Sequence, residues 1–278
     1  MKTLKDLANF SNELKSQNKK MPVLFIGHGS PMNGIESNEF SNYWVELGKE
    51  IPQPEAVVCV SAHWLTRGTF VTAMQNPKTI HDFGGFPQEL YEVIYPAPGN
   101  PDLAREISHK IKSTSVGLNH EWGLDHGCWT VVRRMYPEAG IPVIQLSIDF
   151  YKPAEFHYNL AKELSVLRDK GVLIIGSGNM VHNLRMVDWQ KMNENNYGYD
   201  WAMEINNTFK SKINSGEHKA LIEYQNLGSA AKLAIPTPDH YFPLIYALGL
   251  QETNDLIDIF NDKYVAGSLS MTSVKFSR

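Results

Sequence analysis

Cysteine is nearly absent from this 278-residue chain. Cys59 and Cys128 are the only two, and no CxxC pair exists. That argues against a disulfide framework and against the thiolate ligands structural zinc usually recruits, and it leads us to expect a reducing, cytoplasmic setting. No apolar run approaches the roughly 20 residues needed to cross a bilayer. The first twenty residues carry Lys2, Lys5, Lys15, Lys19 and Lys20 but no apolar h-region, so no secretory signal is expected. Positive charge is not in excess: 26 Lys+Arg face 30 Asp+Glu, a net charge of −4. Nothing electrostatic therefore favours nucleic acid or an anionic membrane as partner. Internal repeats, low-complexity tracts and an interdomain linker are also lacking.

Hydrophobic residues make up 42% of the chain and charged residues 20%, the balance of an ordinary globular protein. Short apolar runs alternate with helical periodicity. Val23 to Ile26, Val57 to Ser61, Pro142 to Ile148 and 172–176 read as buried strands, with Thr69 to Met74 as a further one. Helices are expected over Asn38 to Glu50, 102–113 (capped by Asp102), Thr130 to Tyr136, Pro153 to Lys170 and from Pro243 to Leu248, and most of 185–232 reads as helical. Asn261 to Lys275 suggests a terminal hairpin. Strands alternating with helices imply an α/β fold: one three-layer α/β/α domain over 21–278 around a mostly parallel sheet. Leu4, Leu7, Phe10 and Leu14 suggest an amphipathic amino-terminal helix, an extension over 1–20.

Ten histidines are present. His109, His157 and His218 sit in charged helical or loop contexts and read as surface or satisfied core residues; His120, at the start of a loop, is a candidate for backing the site, and His81 for a loop lining the pocket. Five others differ. Val23 to Ile26 runs into Gly27-His28-Gly29-Ser30-Pro31, and Ala56 to Val60 into Ser61-Ala62-His63-Trp64. Val172 to Ile175 runs through Gly176-Ser177-Gly178-Asn179 to His182, and Ala234-Ile235 through Pro236-Thr237-Pro238-Asp239 to His240. His126 follows Gly123-Leu124-Asp125. Ligands of open α/β sheets bind at the carboxyl ends of strands. Four strand-end histidines are thus expected to converge, and a thiolate-free set of imidazoles suits Fe(II), Zn(II) or Mn(II). Aromatic side chains near these motifs (Trp64, Phe83, Phe86, Tyr91, Trp122, Trp129, Tyr241, Phe242) suggest a rim for a flat apolar ring.

Taken in order, the motifs around His28, His63, His126 (Gly123 to Gly127), His182 (Gly176 to Asn183) and His240 (Thr237 to Leu244) resemble those of the class III extradiol ring-cleaving dioxygenases, in particular the DOPA 4,5-dioxygenase type. The resemblance spans about residues 21–276. It implies a non-haem divalent metal, one per chain, Fe(II) for dioxygenase activity or Zn(II) as bound. The metal would chelate a catechol and bind O2 beside it, giving a muconic semialdehyde. Carried over by motif, His28, His63 and His240 are metal ligands, and His126 and His182 are catalytic; His182 is placed among the ligands as well. Better-studied relatives use two histidines and a glutamate. Here the third position is His240, which removes one negative charge from the ligand set and favours zinc. The competing readings are a zinc-dependent hydrolase on the same scaffold and a catalytically silent metal-binding protein.

Overall fold

Alternation inside the apolar runs decides the layers. The computed structural model describes residues 20–278, so the helix expected near the amino terminus lies outside the described residues. In chain order the strands are β1 (Val23–Gly27), β2 (Ala56–Ser61), β3 (Leu65–Thr66), β4 (Thr69–Thr72), β5 (Val116–Asn119), β6 (Val143–Gln145), β7 (Ile148–Asp149), β8 (Val172–Gly178), β9 (Leu256–Phe260), β10 (Tyr264–Val265), β11 (Leu269–Ser270) and β12 (Ser273–Ser277). Val23 and Phe25 of β1, Val58 and Val60 of β2 and Ile174 of β8 pack into one core. Their neighbours Leu24, Ile26, Val57, Cys59, Leu173 and Ile175 pack into a second. Side chains alternate across a pleated strand, so apolar residues at every position mean that both faces of the sheet are covered.

Six strands form the main sheet in the order β6-β2-β8-β1-β12-β9. The first four run parallel. β12 pairs antiparallel with β1, and β9 antiparallel with β12. The helices Pro101–Lys110, Ala154–Glu163, Asp200–Asn214 and Phe242–Leu250 cover one face. Glu39–Glu50 and His126–Met135 cover the other, through Trp44, Leu47, Trp129 and Val132. This is the three-layer α/β arrangement the sequence implies. No helix among the described residues is long and apolar enough to cross a membrane.

Several expected elements shift, each for a local reason. Asn100, not Asp102, caps the helix Pro101–Lys110, its side chain accepting from the Leu103 N–H. The apolar run Pro142 to Ile148 is not one strand. Leu146 bonds Cys59 of β2, but the Ser147 N–H turns away to the Phe70 carbonyl, and the chain restarts as β7 beside β3. The helix expected to reach Lys170 stops at Glu163 and continues as a 3-10 segment, Ser165–Lys170, ended by Gly171 at φ +77°. Residues 184–199 hold only short 3-10 turns, with the first long helix of that region at Asp200–Asn214. The terminal segment forms a small β10–β11 hairpin, and β12 joins the main sheet between β1 and β9.

His240 reaches the site by a different route. Ala234-Ile235 is not a strand; Ser229–Ala234 is a helix, and His240 lies in the turn before the helix Phe242–Leu250. Only three of the histidines follow main-sheet strands. The fourth reaches the same place because β8 carries glycines where that turn lies on it. A Cβ at Gly178 would stand 2.1 Å from the His240 carbonyl oxygen, and one at Gly176 would stand 2.2 Å from that of Pro243. The Asn179 N–H donates to the His240 carbonyl at 2.9 Å and fixes the approach.

Candidate metal centre and catalytic site

Each histidine is delivered by a distinct local device. His28 leaves β1 with its N–H bonded to the Gly178 carbonyl at 3.0 Å, which carries the ladder one residue past the strand. Gly29 then takes φ +61°, a conformation in which a side chain would be strained. The Asn33 amide donates to the His28 carbonyl at 2.9 Å. At the end of β2, Ala62 bonds the Ser177 carbonyl and the His63 N–H donates to Ser61 Oγ at 3.2 Å. His182 follows β8, its N–H bonded to Ala234. His126 is the first residue of the helix His126–Met135, which starts earlier than the periodicity predicts. The reason is Asp125, an N-cap whose carboxylate accepts from the Cys128 N–H, while the Asp82 carboxylate accepts from the His126 N–H at 2.9 Å.

These devices bring the rings together. Centroids of His28, His63 and His240 lie 5.0 to 5.3 Å apart. His126 is 3.8 Å from His63 and 5.7 Å from His28. His182 stacks on His240 at 3.5 Å and 7°. Ligand-capable atoms of His28, His63 and His240 all fall within 4.8 Å of one another; His182 shares such a cluster with Asp239 and His240.

The hydrogen-bond network assigns the protons. The Ser177 hydroxyl donates to the Gly127 carbonyl at 2.5 Å, so its oxygen accepts from His28 Nδ1 at 3.0 Å. His28 therefore carries its proton on Nδ1 and a lone pair on Nε2. Asp239 bonds His240 Nδ1, which gives that ring the same sense, and the Asp82 charge 3.4 Å from His63 Nδ1 favours it in His63. His28 Nε2 and His63 Nε2 face each other across 3.1 Å, and in that sense both present lone pairs. Two converging buried lone pairs repel; a cation between them removes the repulsion. Burial, then the neighbouring imidazoles, holds His28 and His240 well below the usual histidine range, and burial with His126 lowers His63 to about 3. Neutral imidazoles are the form that binds a metal. The donor set fits a divalent ion at His28, His63 and His240.

Two carboxylates back the ligand-capable rings. Asp82 and Asp239 stand directly behind two of the three rings. Carboxylates so placed raise the basicity of the ligating imidazole and orient it. Negative charge thus stays one ring away from the centre. Asp82 itself is raised by burial, but its bonds and contacts with His126 and His63 outweigh that and leave it below the ordinary carboxylate range.

The aromatic rim is smaller than the sequence suggests. Tyr241 is buried against Phe209 and Tyr224, Phe242 against His157, and Trp129 donates to the Ile80 carbonyl from inside the core. Phe83 meets the His126 ring edge-on at 5.6 Å and packs on Phe86 and Tyr91. Trp122 stacks on Trp64 at 5.9 Å. His81 binds the Val93 carbonyl, and His157 is a core residue paired with Tyr246. His120 is exposed. Sequence reasoning gave no role to Ser177, Asp82 or Asp125. The available signals were a serine inside an otherwise apolar strand and an acid beside the flexible Gly84-Gly85 pair.

Residues 22–276 match the family described as the catalytic LigB subunit of aromatic ring-opening dioxygenase. The chain is 47% identical over 260 residues to an Escherichia coli K12 protein named 4,5-DOPA dioxygenase extradiol, covering 92% of this chain and 94% of that one. It is 34% identical over 272 residues to a Beta vulgaris protein of the same name, covering 94% and 98%. The crystal structure of an uncharacterized Escherichia coli K12 protein superposes with a TM-score of 0.79 at 42% identity, covering 92% of this chain and 99% of that one. Converging imidazoles at the carboxyl edge of the sheet and a match across nearly the whole described chain give one conclusion: the protein belongs to the LigB family of aromatic ring-opening dioxygenases.

Proposed function

We propose that this extradiol dioxygenase opens the ring of a DOPA-like catechol with O2, giving a muconic semialdehyde. In this reading, residues 21–278 are the catalytic domain, His28, His63 and His240 hold one divalent metal, and His126 and His182 serve catalysis. The observation that carries the reading is the pair of opposed Nε2 atoms of His28 and His63, 3.1 Å apart, with His28 Nδ1 bonded to Ser177 and the Asp82 carboxylate 3.4 Å from His63 Nδ1.

A divalent ion held by these histidines would supply a Lewis acid to a bound catechol, and Fe(II) would add the redox capacity that dioxygen chemistry needs. The chain's own residues do the rest. His126 stands beside His63 with its Nδ1 near Asp82, which leaves Nε2 to accept a hydroxyl proton from the arriving diol. His182 lies on the other side, stacked on His240. Burial lowers it to about 4, so its ring is neutral near pH 7 and able to take up and return a proton. Phe83 offers the substrate ring an apolar wall beside His126. The family match and the relatives' names leave no specific observation in favour of a zinc hydrolase.

The test is anaerobic loading with Fe(II), followed by a panel of catechols and air. Oxygen uptake with a yellow product is expected, strongest for DOPA-like diols. His28→Ala and His63→Ala should each abolish metal binding by elemental analysis. His182→Ala should keep metal and lose about 10²-fold or more in turnover. Wild-type-like ring opening in that variant would remove His182 from the reaction.

A further inference from the structure

The Asp82 carboxylate reaches two histidines that are 63 residues apart in the chain. Its Oδ1 accepts the backbone N–H of His126 at 2.9 Å. Its Oδ2 lies 3.0 Å from His126 Nδ1 and 3.4 Å from His63 Nδ1. The contact with His126 Nδ1 is short but poorly aligned for an N–H···O bond. The side chain is only 18% exposed, so water does not substitute for it freely. The His63 and His126 rings stand 3.8 Å apart, with the carboxylate against the Nδ1 edge of both.

We propose that Asp82 is a positioning residue that sets one and the same tautomer in a metal ligand and in the proton acceptor beside it. A carboxylate carries negative charge and no proton, so against both Nδ1 edges it favours an N–H there over a lone pair and donates to neither. Each ring is thereby held with Nε2 unprotonated. For His63 that is the ligating form. For His126 it makes Nε2 an acceptor of a substrate proton and not a donor. The inference rests on the proposed roles of His63 and His126 and adds the group that couples them.

The Oδ1 bond to the His126 backbone supplies a competing architectural role, and two substitutions separate the two. Asp82→Asn is nearly isosteric. Its amide oxygen keeps the backbone bond, but its NH2 places a donor where both Nδ1 atoms need an acceptor. At least one ring is pushed to the Nε2–H tautomer. Asp82→Ala removes the backbone bond and imposes no tautomer. A tautomer role therefore makes Asn the more damaging substitution; an architectural role makes Ala the more damaging.

The experiment measures Zn(II) affinity of the metal-free protein by competition with a chromogenic chelator, and kcat and KM for 4-methylcatechol after Fe(II) loading. Asp82→Asn should bind Zn(II) about 10- to 100-fold more weakly than wild type. Its kcat should fall at least 10²-fold while KM moves less than about threefold, and Asp82→Ala should be milder in both affinity and kcat. Ala equal to or worse than Asn, Asn indistinguishable from wild type, or loss of the folded far-ultraviolet spectrum in both variants would each overturn the proposal. If wild type itself binds no Zn(II) and turns over no catechol, the functional reading fails, and the role of Asp82 with it. If wild type does both, an adverse result falls on Asp82 alone.

Discussion

Gly178→Ala tests how the fourth imidazole is placed. The added Cβ would stand 2.1 Å from the His240 carbonyl oxygen, a backbone atom that no rotamer change can move aside. A carbon–oxygen contact needs about 3.3 Å, so the turn carrying His240 must retreat by about 1.2 Å. That displacement also stretches the 2.9 Å bond from the Asn179 N–H. Metal and catalytic constellations tolerate about 0.5 Å, and a 1 Å misplacement costs on the order of 10²-fold in rate. Gly178→Ala should therefore weaken Zn(II) binding by at least about tenfold and lower kcat by about 10²-fold. The parallel pairing of β8 with β1 and β2 should persist in the circular dichroism spectrum. Gly140→Ala is the control: a Cβ there meets nothing within 4 Å, and no change is expected. Wild-type metal affinity and turnover in Gly178→Ala would refute the claim that close backbone approach on β8 places His240.

Arg168 is fully buried, forks onto both oxygens of Asp255 at 2.7 and 3.0 Å, and donates to the carbonyls of Met21 and Leu250. Arg168→Ala leaves the Asp255 charge buried without its partner and should cost about 3–5 kcal/mol in urea unfolding; a change under about 1 kcal/mol would show that the network is dispensable. His157 is lowered to about 4 by burial, against an ordinary value of 6.5. The unfolded chain takes up that proton at higher pH than the folded one. Its contribution is therefore fully present above pH 6.5 and falls as the pH drops towards about 4, by up to about 3 kcal/mol. Unfolding of wild type and His157→Gln followed from pH 7 to 4 should show a shallower slope in the variant; equal slopes would assign the acid sensitivity elsewhere.

The strands that hold the site were legible because burial on both faces leaves nearly continuous apolar runs, as in Val23 to Ile26 and Val57 to Val60. The motifs that end them marked His28, His63 and His182 as a related set. Elsewhere periodicity misled. Leu160, Leu164 and Leu167 are all buried, so the apolar pattern runs on across the change from α-helix to 3-10 at Leu164. Ala234-Ile235 is apolar because the end of a helix is buried there, and two apolar residues carry no period that separates helix from strand.

The amino-acid order by itself determined the layered class of the fold, the paired glycines and prolines around the candidate ligands, and the supply of neutral nitrogen donors in place of thiolates. These follow from local steric and transfer energies that each short segment carries wherever it sits. Tertiary structure alone decided that a loop aspartate from 82 lies against rings from 63 and 126. It also decided that Ser177 commits the His28 proton, and that glycines on β8 admit the turn bearing His240. Those contacts join residues tens to more than a hundred positions apart. Proton placement and ring orientation depend on distances of tenths of an ångström that no sequence spacing encodes.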